Sequence, residues 1–266
     1  MKKISIFAAA LAAMVFTACG GNKSANTEEQ APETSFEQEQ VEAKIKLELD
    51  SLSAELGKLD KVPFLQEGEN GLQLTEEEKQ VKPDYLLSPS VAENATTLAE
   101  KYRALAALCV DKQIASMYEM PTDEYEAAIS KLAADIDDPS FKEIDDVSNI
   151  YETSQKLYDA MNANGRINYF WQMVAGSLIE EFYVASQNSD KFVSVFDDES
   201  ATAITFRIVL LDEATDRLAG YDPEFETVAK VADALEPLDA ITVDQLKAQL
   251  EETKEKVAET RNELIK

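Results

Sequence analysis

The stretch "RINYFWQMVAGSLIEEFYVASQN", residues 166–188, is apolar around most of the circumference it would have as a helix. A surface helix shows one apolar stripe, whereas one apolar nearly all round has to be covered by neighbours on every side. The pattern therefore predicts a central helix with a helical bundle built about it. Just before it, "NANG" at 162–165 supplies Gly165, a residue suited to the left-handed cap that ends a helix.

Working outward, apolar residues recur at helical spacing in both directions. Toward the N-terminus, Ile144, Ile150, Leu157, Tyr158 and Met161 mark one helix, and Pro121 with Thr122 opens another that runs to about Ile136 and is broken by "DIDDPS". Ser90 with Glu93 has the form of a capping box, followed by Ala95, Leu98, Tyr102, Leu105 and Cys109, which predicts a helix to about Tyr118. Residues 63–90 carry three prolines and two glycines and read as a long connection with one short helix from Thr75. Ile45, Leu49, Leu52, Leu56 and Leu59 predict a first helix ended by Pro63. Beyond the central helix, one is expected from about Glu199 to Ala219, a second between Pro223 and Pro237, and a last from Thr242 with Val243, Leu246, Leu250, Val257 and Leu264 on its stripe. No strand pattern competes. The expected fold is all-α: an irregular multi-helix bundle forming a single domain over residues 39–266, with long antiparallel first and last helices.

Charge and composition remove whole classes of function. Against 25 Lys and Arg stand 52 Asp and Glu, a formal net charge of −27, which repels nucleic acid and anionic membrane surfaces. The chain has no histidine, so every Ser-His, Cys-His and His-metal arrangement is excluded. Its eight glycines form neither a GxGxxG nor a GxxxxGK[ST] phosphate cradle. No catalytic, cofactor-binding or metal-ligating set stands out, and no cofactor is expected.

The N-terminus reads "MKKISIFAAALAAMVFTAC": Lys2 and Lys3, an apolar run from Ile4 to Phe16, then small residues before Cys19. This is the build of a signal peptide, and the run is shorter than the roughly 20 residues that cross a bilayer. "FTAC" resembles the lipobox of bacterial lipoproteins, with Phe16 where that motif usually has leucine. The resemblance implies cleavage before Cys19 and lipid on its thiol. It also implies a signal peptide at 1–18, then the lipidated Cys19 opening an acidic flexible tether over 19–38. Loss of Lys2 and Lys3 with the leader would take the net charge from −27 to −29. The alternative is an ordinary secretory leader that leaves Cys19 as an incidental thiol. With Cys19 acylated, Cys109 has no intramolecular partner, and its place on an apolar stripe marks it as a buried, inert thiol.

Within the domain, "DIDDPSFKEIDD" at 135–146 places acids at the first, third and twelfth positions of a calcium loop but has Ser140 where the turn needs glycine, so it reads as a helix break with solvated carboxylates. Acids in "FDDES" at 196–200 suit the start of a helix. Glu181 is more informative. At 100° per residue it falls in the apolar sector of Ile167, Phe170, Val174, Leu178 and Ala185, whereas Glu180 does not. Arg207 falls likewise among Ile204, Leu211, Ala214 and Leu218. Two buried charges of opposite sign are expected to meet, as a structural ion pair or as a polar ligand site inside the bundle.

The expected function is that of a lipid-anchored cell-envelope lipoprotein, in the outer membrane and facing the periplasm or the surface. Its acidic domain would act as a binding or scaffold module for a protein, glycan or small ligand, with no nucleic-acid partner. The alternative is a small-ligand-binding lipoprotein or a carboxylate-dependent hydrolase, since two acids about 5 to 9.5 Å apart can act without histidine.

Overall fold

A computed structural model describes residues 61–66, 68–144, 146–220 and 222–265, together with 47, 51 and 52. Among the described residues there is no strand. Ten α-helices follow in order: α1 (Glu76–Gln80), α2 (Val91–Asn94), α3 (Leu98–Met117), α4 (Asp123–Ile136), α5 (Ile150–Ala163), α6 (Ile167–Gln187), α7 (Ser189–Phe192), α8 (Asp198–Leu218), α9 (Phe225–Leu235) and α10 (Val243–Leu264). Three-residue to five-residue 3-10 turns fill several of the gaps. The fold is an irregular all-α bundle in which every helix but α1 contributes to one continuous apolar core.

α6 is the centre. Every residue from Phe170 through Phe182 is buried, as the all-round apolar pattern requires. It packs most extensively against α3, then against α10, α9 and α5. α3 is enclosed almost as fully, with Tyr102 through Asp111 buried without a break. The two helices approach closely because α6 carries Gly176 at the contact, where a Cβ would lie 2.5 Å from the Arg103 carbonyl oxygen and 2.8 Å from the Arg103 Cα. On the far side, α8, α9 and α10 pack on one another in succession. Gly165 takes φ +67 and closes α5.

Several boundaries differ from the sequence reading. Ser90 makes no side-chain cap, and the helix it opens, α2, ends at Asn94; Ala95 is extended, and α3 starts anew at Thr97, whose capping box with Glu100 is complete. Ile144 precedes α5 in an extended conformation rather than belonging to it. Asp138 is buried rather than solvated: it accepts the Tyr102 hydroxyl on Oδ2 and the Ser140 amide on Oδ1, at 2.8 Å for the latter. The partner proposed for the last helix, the first helix, falls outside the described residues apart from buried Leu52 and exposed Leu47 and Ser51, as do Cys19 and the tether. No helix of the described residues is long and apolar enough to cross a membrane.

Candidate functional site

The structure brings Glu181 of α6 and Arg207 of α8 together, with Nη1 of Arg207 3.7 Å from Oε2 of Glu181. That is ion-pair range but too long for a hydrogen bond. The other carboxylate oxygen, Oε1, accepts the hydroxyl of Tyr151 from α5. Burial pushes the Glu181 carboxyl above its ordinary range, outweighing the opposing pull of Arg207 and of Tyr151. The tyrosine is raised well above its own range for the same reason, with the facing carboxylate adding to it. A cavity of about 280 Å³ opens beside Arg207, lined also by Lys61, Gln66, Asp197 and Ser200; Glu181 does not line it. The two charges therefore do not converge on that cavity.

Glu180, which the sector count had set outside the apolar face, is equally buried. Because α6 is enclosed all round, its neighbouring positions point at different helices, and Glu180 faces α10. Arg261 grips it with both ends of the guanidinium, Nε to Oε2 at 2.8 Å and Nη2 to Oε1 at 2.7 Å. The same guanidinium donates to the Tyr85 carbonyl at 3.2 Å and lies over the Tyr183 ring, 4.1 Å from its centroid. Asp111 of α3 completes the group: its Oδ2 accepts the Leu87 amide at 2.6 Å and stands 3.9 Å from Nη2 of Arg261. Two carboxyls thus share one arginine. Burial and the nearness of Glu180 raise Asp111 well above the usual carboxylate range. Of the two, Glu180 makes the close contact with Arg261, and Asp111 stands farther off. The signal in the sequence was Arg261 itself, on the stripe of Leu250, Val257 and Leu264.

Another buried charge, Arg103 of α3, donates through Nη1 to Gln172 Oε1 and, at 3.3 Å, to the Thr227 hydroxyl, tying α3 to α6 and α9. Together these groups form polar rivets between helices. Asp111 and Glu180 are fully buried, and Glu180 is engaged by its arginine. Among the described residues no group of three or more Cys, Asp or Glu is placed to hold a metal ion.

Openings lie on the surface instead. One of about 300 Å³ runs between α8 and α9, lined largely by Phe206, Ile208, Val209, Ala232 and Leu238, with Asp212, Glu236 and Asp239 also in its lining. Sequence reasoning missed it because Phe206 and Val209 lie off the buried stripe of α8 and read as scattered surface residues. The chain matches no family model, no curated protein and no solved structure in the comparisons made.

Proposed function

We propose that the protein is a lipid-anchored lipoprotein of the bacterial cell envelope whose acidic helical domain is a binding module. The observation that carries the anchor is Cys19 at the end of a basic and apolar leader, in "FTAC", followed by a polar stretch. The lipid would hold the domain at the membrane, most simply the outer membrane, and the stretch from 20 to 38 would give it reach. Support for a binding rather than a catalytic role comes from the way the buried charges are used. Glu180, Glu181, Asp111, Arg103 and Arg261 are turned into contacts between helices, and what the domain offers to the outside is an acidic surface with an apolar groove.

The test is metabolic labelling with a fatty-acid analogue. The wild-type chain should incorporate it and partition with membranes, and Cys19→Ser should lose the label and accumulate as unprocessed precursor. Labelling that survives Cys19→Ser would overturn the anchor.

A further inference from the structure

The groove between α8 and α9 supports a more specific reading, one that rests on the domain's being a binding module. Thr202, Phe206 and Val209 follow one another at i, i+4 and i+7 on the outer face of α8, while Ala201, Ile204, Ile208 and Leu211 fill the core. Phe206 is 48% and Val209 51% exposed. Ile241, 61% exposed, lies at the Thr202 end of this row, where its carbonyl accepts from the Thr202 hydroxyl at 3.5 Å. Large exposed apolar side chains along a groove mark a surface meant to be covered.

The electrostatics say by what. No lysine or arginine lines the groove, and its charged members, Asp212, Glu236 and Asp239, are all acidic. Asp216, Asp233 and Glu213 add to the field at Asp212, and burial together with these neighbours raises its carboxyl; a cation brought there would relieve the repulsion. A second copy would bring the same acids and a net charge of −27. The chain's own residues 20–60 carry ten Asp and Glu against four Lys, so they too are the wrong sign. At about 300 Å³ the space sits at the small end of ligand pockets, suited to receiving a few apolar side chains rather than enclosing a molecule. Apolar anchors spaced along one helix beside a second helix are what an amphipathic helix reads with its own i, i+3/i+4 and i+7 positions.

We infer that the α8–α9 groove docks a cationic amphipathic helix of another protein, its apolar face on Phe206, Val209 and Ile241 and its Lys or Arg side chains against Asp212, Glu236 and Asp239. The contact is steered by charge and held by the apolar anchors, so it weakens with salt.

The probe is a labelled synthetic helix of about 18 residues, five turns, with Leu and Phe on one face and Lys on the other. It is titrated by fluorescence anisotropy into the full chain carrying Cys19→Ser. Saturable binding is expected. It should weaken about tenfold or more for Phe206→Ser with Val209→Ser, for Glu236→Lys, and for a scrambled peptide that keeps the charge but loses the apolar face. Phe206 and Val209 are exposed, so their replacement leaves the fold intact, which circular dichroism checks. No binding, or binding indifferent to the two serines and to scrambling, would overturn the inference. A photoreactive amino acid placed at Phe206 or at Val81, exposed but outside the groove, separates this from the broader reading. Cross-linking at 206 to a Lys-rich and Arg-rich peptide with apolar helical spacing supports the groove. Adducts at 81 and none at 206 overturn the groove and leave a binding module. Adducts at neither count against both.

Discussion

Cys109 illustrates how burial alone can set a residue's chemistry. It sits on the inner face of α3 with no exposed surface, its Sγ 3.5 Å from the Val147 carbonyl, and burial pushes its thiol up to about 12. A thiol reagent should label the native chain slowly and the denatured chain fast, because only the thiolate reacts. Rapid native labelling would contradict the placement of α3. The paired acids make a sharper contrast. Asp111→Asn keeps an acceptor for the Leu87 amide and removes only a carboxyl whose charged form burial disfavours, so it should change stability at neutral pH by less than about 1 kcal/mol. Glu180→Gln strips Arg261 of its buried counter-charge and should cost about 3 to 5 kcal/mol in denaturant titration. Equal effects would mean that both acids carry charge. Glu181 was legible in the sequence and Glu180 was not. A single-sector count assumes a helix with one buried side, and α6 has no other kind.

At the scale of the element, the helices themselves were readable because each carries its own periodic signal and terminator. Gly165, Pro223 and Pro237 fall where helices end or begin. The failure at Ser90 has a local cause: two Ser/Thr-x-x-Glu patterns lie seven residues apart, and only Thr97 reaches the geometry of a cap, accepting the Glu100 amide at 3.2 Å while Glu100 accepts the Thr97 amide at 3.0 Å. Ser90 is held in the helical rather than the extended backbone region, and no periodicity in the sequence records that difference. The α3–α6 crossing was equally hidden, since Gly176 reads as an ordinary small residue until the Arg103 backbone is seen against it. Gly176→Ala puts a methyl group 2.5 Å from that carbonyl oxygen and must push two buried helices apart. It should lower stability by about 1 to 3 kcal/mol or more, although alanine is the better helix former. A stabilised variant would show that the helices are not so closely apposed.

For the whole molecule, charge dominates. Asp111 and Glu181 are both raised by burial in the folded state. Each therefore binds more protons folded than unfolded once the pH exceeds the unfolded value of about 4. Their contribution to stability is fully present below that value and is lost as the pH rises through the folded one. Glu100 and Asp146 work oppositely. Glu100 is lowered chiefly by the Thr97 amide and Asp146 chiefly by the Ser148 hydroxyl, so their contributions fade as the pH falls through their folded values. Self-repulsion of the acidic surface adds to the loss at high pH. Stability of the full chain carrying Cys19→Ser should accordingly rise as the pH is lowered from 8 toward about 5, by no more than about 1.4 kcal/mol per unit for each raised group, and Asp111→Asn should flatten the rise. A wild-type profile that climbs with pH would reverse this account. Acidity and the helical class could be read along the chain. The groove could not, because it exists only where α8 meets α9.

The central claim is that this domain works on a lipid tether at Cys19, and mass spectrometry of the N-terminal peptide from membrane-derived, full-length protein addresses it directly. The peptide should begin at Cys19 and carry the added mass of acyl chains on that residue. A peptide in which Cys19 is a free thiol, or cleavage at any other residue, would contradict it.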